Sequence, residues 1–398
     1  MNTQKKVAFF KTDIGTQEEH AVMEVLRSGW LTTGQQTADF ENAFKTYTGA
    51  RNAVAVNSCT AALHLALESL DLTSDDEVIT SPFTFSASAS EIIHAGARLK
   101  FADINPHTGN IDPACLEQTI SPRTKAVIPV HYAGLPCDMN EIMNLSFEYD
   151  LKIIEDAAHA LESSFNSQKI GSIGDFTCFS FYATKNITTG EGGMLTCDND
   201  ALAEKIRILS LHGMSKDAWK RYHPTLNSGA KNYYQILFRG FKYNMSDIQA
   251  ALGIVQLSRV DEFWEKRRVR AQLYRTLLQD IPEIELFDDD IRSKHAYHLM
   301  PVKLRTDMLT ITRDQCIELL RQNGVGCSIH FIALHLHPYF QDTFGLIPSD
   351  FPNATNVSER VITLPLYPIL PEEDVVYVVE TIKRILCANL RKPLIPVT

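Results

Sequence analysis

The stretch Ala53-Val54-Ala55-Val56-Asn57-Ser58-Cys59-Thr60-Ala61-Ala62 decides the fold. Four apolar residues without polar alternation read as a strand buried on both faces. Small polar residues follow, then a helical apolar pattern over 59–70. The unit recurs. Further strand-like runs lie at 77–80, 99–103, 126–130, 152–155, 177–181 and 193–196, with helix-like stretches at 87–95, 113–119 and 140–149. Strand-helix-strand repetition predicts an α/β fold with a mainly parallel sheet flanked by helices. Two helices precede it. Thr16-Gln17-Glu18-Glu19 reads as a capping box, with Ala21, Val22, Val25 and Leu26 as an apolar face and Gly29 just past the end. A second helix is predicted near 37–47.

The rhythm changes after residue 245. One long helical pattern occupies 246–279, with Ile248, Leu252, Val255, Gln256, Arg259 and Val260 at helical spacing. After it come an isolated strand (298–304), a helix (312–323), a strand (326–330), a loop rich in His and Pro, and two last helices. The expected division is a large domain over 1–245, then the linking helix and a smaller α/β domain over 246–398.

Composition excludes several classes. The chain has 398 residues, 44% apolar and 22% charged, with a formal charge of −10. Nucleic acid demands a basic stripe, so none is expected as a partner. No segment approaches the roughly 20 apolar residues of a membrane span. The N-terminus is too polar for a signal peptide. Cysteines at 59, 115, 137, 178, 197, 316, 327 and 387 form no C-x-x-C pair. Neither a metal site nor a redox motif is expected, and reduced thiols in a cytoplasmic protein are the simpler reading.

Four segments carry chemistry. Val56–Ala62 puts small residues at a helix start, where exposed N–H groups and the helix dipole favour an anion. Ser and Thr there could equally be plain caps. Ile153-Ile154-Glu155-Asp156-Ala157-Ala158-His159 ends a buried strand in an acid, at the carboxyl edge where open α/β sheets bind ligands. Alone, Asp156 could be a helix cap and His159 a core histidine. Phe179-Ser180-Phe181-Tyr182-Ala183-Thr184-Lys185-Asn186 leads an aromatic strand into the turn Gly190-Glu191-Gly192-Gly193. An apolar setting would lower the pKa of Lys185 and supply a neutral amine for a Schiff base. Gly240-Phe241-Lys242-Tyr243-Asn244-Met245-Ser246-Asp247 precedes the long helix, with Ser246 a plausible cap.

Together these segments resemble the DegT/StrS-type sugar aminotransferases, a family of fold-type I enzymes that use pyridoxal 5'-phosphate (PLP). The resemblance runs from Ser28-Gly29-Trp30-Leu31-Thr32-Thr33-Gly34 to Leu364-Pro365-Leu366-Tyr367-Pro368. It looks closest to UDP-4-amino-4-deoxy-L-arabinose aminotransferases in Ile128-Pro129-Val130-His131-Tyr132-Ala133-Gly134 and Lys185-Asn186-Ile187-Thr188. The resemblance implies that Lys185 carries PLP and moves the proton. It implies that Asp156 pairs with the pyridine nitrogen, that His159 meets the phenolic oxygen, and that Phe85 stacks on the ring. Cys59, Thr60 and Ser180 are then at the phosphate, and Asn244 reaches it from the partner of a homodimer. Trp30, Thr33, His330 and His335 are expected to border the sugar. Phe85 stands where the arabinose enzymes have Trp, and Ile332 where they have a basic residue. The implied reaction moves an amino group from L-glutamate to a keto group, at C4, of a nucleotide-linked sugar for surface polysaccharide or glycoconjugate synthesis. A PLP-dependent sugar dehydratase and a non-catalytic PLP-binding regulator are the alternatives. Lys185 disfavours the first, since the resembling dehydratases carry histidine there. Lys185, Asp156 and His159 together disfavour the second.

Overall fold

The computed structural model describes residues 5–215 and 234–391. Helices α1 (Thr16–Ser28) and α2 (Gln35–Thr48) lead into β1 (Asn52–Val56), α3 (Cys59–Glu68), β2 (Glu77–Thr80), α4 (Ser86–His94), β3 (Arg98–Phe101), α5 (Pro113–Thr119), β4 (Thr124–Ile128), α6 (Met139–Tyr149) and β5 (Lys152–Asp156). Short strands β6 (Ser164–Phe165) and β7 (Gln168–Lys169) precede β8 (Phe176–Ser180), β9 (Gly193–Cys197) and α7 (Asp200–Ser210). Then come α8 (Asp247–Ser258), α9 (Val260–Leu278), β10 (Ile284–Leu286), β11 (Ser293–Lys294) and β12 (Met300–Leu304). The last elements are α10 (Arg313–Gln322), α11 (Pro338–Phe344), α12 (Pro352–Arg360), β13 (Val361–Leu364) and α13 (Glu372–Ala388).

Among the described residues the main sheet has seven strands in the order β1-β9-β8-β5-β4-β2-β3. Only β9 runs antiparallel to its neighbours. Successive strand residues point to opposite faces. Val54, Ile154 and Cys178 pack under α3, α4 and α7 on one face. On the other, Ala53 and Phe179 meet α2 and α8, and Val127 and Ile153 meet α5 and α6. Burial on both faces is why these strands show no polar alternation.

The smaller sheet, β10-β12-β13, is antiparallel throughout. Its core takes residues from α9, α10 and α13, and also Val7 from the N-terminal segment. The long helix is shared: Ala250, Leu257, Val260 and Phe263 pack with the large sheet, and Ala271, Tyr274 and Leu278 with the small one.

Several expectations are corrected. The strand near 298–304 is not isolated; β12 is the centre of the small sheet, and β13 beside it was not foreseen. Residues 326–330 form no strand but only a bridge from Ser328 to Thr363. The long helix breaks at Arg259, whose backbone (φ −105°, ψ 3°) leaves the helical region. There the guanidinium reaches Glu18 at 2.8 Å and Asp13 at 3.2 Å. The cap of α1 is Gly15, not Thr16: Glu18 Oε2 accepts from the Gly15 N–H at 2.9 Å. Its other oxygen is held by Gln256 and Arg259, so tertiary partners set where this helix starts.

Candidate active site at the carboxyl edge of the sheet

Because β1, β2, β4, β5 and β8 run parallel, their carboxyl ends share one edge. A cavity of about 360 Å³ opens there, walled by Cys59, Thr60, Phe85, Asp156, His159, Ser180, Lys185 and His330, all foreseen from the sequence. Each wall residue is placed by its element. Ser58 caps α3, its Oγ accepting from the Ala61 N–H at 3.0 Å, which leaves the first turn of α3 at the cavity. Strand β9 passes very close: a Cβ on Gly193 would lie 2.5 Å from the Ser58 carbonyl oxygen. Glycine is needed there for the approach itself.

Asp156 ends β5 and is buried. Its Oδ2 accepts from Ser88 Oγ at 2.7 Å, and its Oδ1 from the Ala158 N–H at 3.1 Å. The ring of His159 packs against Phe331, stacked at 5.9 Å, and against His298, with centroids 4.4 Å apart. Its Nδ1 is buried without a hydrogen-bond partner among the described residues. Burial, then Lys185, His298 and His330, hold this imidazole well below its usual pKa, so it is neutral.

Lys185 follows a turn closed by its N–H to the Tyr182 carbonyl at 2.9 Å. Burial pushes its amine down to about 8, against the opposing pull of Asp156 and Cys59. Phe85 precedes α4 and is 64% exposed, a large apolar residue at the cavity. His330 bonds Thr363 Oγ1 through Nδ1 at 3.0 Å, and burial with Lys185 pushes it down to about 4.

Other foreseen residues lie elsewhere. His335 is fully buried, with Nε2 on Thr355 Oγ1 at 2.7 Å and its ring against Phe351; it is not on the cavity wall. Thr33 and Asn244 line a separate recess with Thr37, Glu41 and Arg207. They bond each other, Asn244 Nδ2 to Thr33 Oγ1 at 2.6 Å. Trp30 Nε1 donates to the Thr33 carbonyl at 3.2 Å, away from the cavity. Sequence reading missed Ser88, Tyr182, Thr184, Glu191, His298 and Phe331. Ser88 is one of three serines in Ser86-Ala87-Ser88-Ala89-Ser90, and nothing in the chain singles it out.

This arrangement joins a buried acid, a lysine of lowered pKa, a neutral imidazole and a helix N-terminus in one cavity. The pattern of the DegT/DnrJ/EryC1/StrS aminotransferase family matches residues 12–383. The chain belongs to that family. It is 48% identical to the spore coat polysaccharide biosynthesis protein SpsC of Bacillus subtilis over 375 residues, 94% of this chain and 95% of SpsC. Its fold is similar to that of the putative sugar aminotransferase Spr1654 from Streptococcus pneumoniae in its PMP form. The TM-score is 0.88 at 33% identity, covering 96% of this chain and 98% of that one. It is also similar to PseC of Helicobacter pylori, an aminotransferase of pseudoaminic acid biosynthesis. There the TM-score is 0.89 at 27% identity, covering 96% and 100%. Spr1654 has been solved in a PLP form as well. The protein is a PLP-dependent sugar aminotransferase.

Proposed function

We propose that the protein transfers an amino group from L-glutamate to the C4 keto group of a nucleotide-linked sugar, for surface polysaccharide or glycoconjugate synthesis. The observation that carries this reading is the convergence of Lys185, Asp156 and His159 on one cavity beside the α3 N-terminus. The residues present fit PLP. The orphaned His159 Nδ1, the uncovered Phe85 and the start of α3 at the cavity wall each suit a partner that a phosphorylated, hydroxylated pyridine supplies. When bound, PLP supplies an electron sink for the bond-breaking step.

The protein's own residues would do the rest. Lys185 would anchor the cofactor and then carry the proton between donor and acceptor carbon, since its lowered pKa keeps a neutral fraction near pH 7. Asp156, fixed by Ser88 and the Ala158 N–H, would hold the proton on the pyridine nitrogen. His159 would orient the phenolic oxygen, and Phe85 would cover the ring face. Thr60, Cys59 and Ser180 would cradle the phosphate with backbone N–H groups and hydroxyls. His330 would meet the sugar, being the foreseen sugar-side residue that lines the cavity.

The working unit in this reading is a homodimer in the cytoplasm. Asn244 and Thr33 lie off the cavity on one recess, with Trp30 bonded to the Thr33 carbonyl, an arrangement suited to completing a partner's site. All eight cysteines are among the described residues and are free thiols, in keeping with a reducing compartment. Among the described residues no helix is long and apolar enough to cross a membrane. The test is incubation of the holoenzyme with glutamate and UDP-, GDP- and dTDP-linked 4-keto sugars. The expected product is a 4-amino sugar; amination at another carbon, or none with any of the panel, contradicts the assignment.

A further inference from the structure

A buried charge holds the residue next to Lys185 from outside the cavity. Glu162 is 0% exposed, and its carboxylate makes an ion pair with Arg267 of α9 and accepts a hydrogen bond from Asn186 Nδ2. Asn186, the residue after Lys185, is buried, as is Arg267. Among the described residues the Asn186 amide has no other partner; its Oδ1 is unpaired. Glu162 belongs to the segment that also carries Asp156 and His159. One stretch of seven residues therefore touches the pyridine side of the cavity at one end and the turn that presents Lys185 at the other.

A buried ion pair is a poor device for stability, because desolvation offsets its Coulomb gain, and apolar residues of similar volume often do as well or better. Its use is geometric. A second tie agrees: the Thr188 N–H reaches Gln256 Oε1 at 3.4 Å, and Gln256 Nε2 is fastened to Glu18 at 2.8 Å and the Asp13 carbonyl at 3.0 Å. Residues 186–188 are thus held by Glu162 and by Gln256 of α8, while the Tyr182 carbonyl holds Lys185 from the strand side.

We propose that Glu162 is a positioning residue for Lys185: through Asn186 it fixes the lysine's backbone relative to Asp156, while Arg267 compensates its charge. The inference rests on the reading of Lys185 as the lysine that anchors PLP. That reading is checked separately, by borohydride reduction of the holoenzyme and peptide mapping. A label on another lysine would overturn the anchor and leave the network untouched.

Lys185 shares the cavity wall with Asp156, Cys59, His159 and His330, and its charge also acts on His298. If the tether sets its depth among them, cutting the tether lets the amine move toward water and its pKa rise. The experiment measures, on apoprotein, the pH midpoint of Lys185 modification by trinitrobenzenesulfonate, read by peptide mass spectrometry, together with the rate of PLP capture at pH 7. Asn186→Ala leaves the Glu162–Arg267 pair intact and so should fold. It is expected to raise the midpoint by at least about one unit and slow capture about tenfold, since each unit changes the neutral fraction tenfold. The double variant Glu162→Gln, Arg267→Met removes both charges yet keeps an amide oxygen for Asn186. It is expected to retain the wild-type midpoint and rate. A wild-type midpoint and capture rate in Asn186→Ala would overturn the proposal. So would a double variant that shifts as far as Asn186→Ala.

Discussion

Asp156 owes its orientation to two hydrogen bonds, and one of them is a single hydroxyl from α4. Asp156→Asn should retain part of the cofactor but lose most of the single-turnover rate with glutamate, because an amide cannot hold the pyridinium proton. Equal rates in variant and wild type would remove Asp156 from this role. Ser88→Ala leaves the charge but frees one oxygen; a lost hydrogen bond to a charged group costs about 1.5–3 kcal/mol, so the same rate should fall roughly tenfold or more. At Lys185 the sign follows from its pKa of about 8. Only the neutral amine attacks an aldehyde, so PLP capture by apoprotein should climb with pH up to about 8 and level off above it. A profile still climbing steeply to pH 10 would mean an ordinary exposed lysine. That Asp156 and Lys185 reach the cavity was legible locally, because a strand end and a glycine turn mark their places, while their roles came from the family resemblance. Ser88, His298 and Glu162 could not. Their roles depend on which way a side chain points across two elements, and sequence spacing does not encode that. His335 makes the same point from the other side. It lies five residues from His330, in the same His-rich loop, yet its ring packs into the core. His330→Ala should damage the keto-sugar half-reaction alone, and stopped-flow traces of the two halves would separate this from general loss.

The elements were legible where burial is two-sided and obscure where pairing partners lie far apart in sequence. The strands of the main sheet came through as unbroken apolar runs. Strand β13 did not, because Val361–Leu364 follows α12 directly and pairs with β12 some 60 residues back. The break at Arg259 was hidden because α8 and α9 share an apolar periodicity, and its ion-pair partners Asp13 and Glu18 lie far back in the sequence. Two element-level changes test the frame of the site. Gly193→Ala drives a methyl group into the Ser58 carbonyl, so the start of α3 must shift. PLP affinity should weaken at least tenfold with about 1–3 kcal/mol of stability lost. Unaltered PLP affinity by fluorescence titration would show that the first turn of α3 is not the phosphate site. Asp247 caps α2 from α8, accepting from the Gly34 N–H at 2.7 Å, the Thr37 N–H at 3.0 Å and Thr37 Oγ1 at 2.7 Å. Asp247→Ala should cost about 2–4 kcal/mol in denaturant unfolding, and a change under about 0.5 kcal/mol would contradict this tie.

On the scale of the whole molecule, burial keeps several histidines neutral, pushing His330 and His335 down to about 4 and His295 down to about 3. Their folded pKa values lie below the unfolded value near 6.5, so the unfolded chain takes up protons first as pH falls. Stability should therefore drop between about pH 6.5 and 4, which thermal unfolding of apoprotein at pH 7.5 and 5 would register; equal midpoints would contradict the buried, neutral state. The proposed dimer has its own test. Inactive Lys185→Ala chains mixed with weakened Asn244→Ala chains would form heterodimers with one doubly damaged and one intact site. Activity above the sum of the parents is expected, and no rise despite proven exchange would count against shared sites. In the proposed reaction one cavity, with Lys185 in it, passes an amino group from glutamate to a keto sugar. Stopped-flow absorbance of the holoenzyme tests it most directly. Glutamate should bleach the yellow cofactor band, and a nucleotide-linked 4-keto sugar should restore it with one amino sugar formed per site. A band that glutamate leaves unchanged, or that returns without an amino sugar, would rule out this reaction.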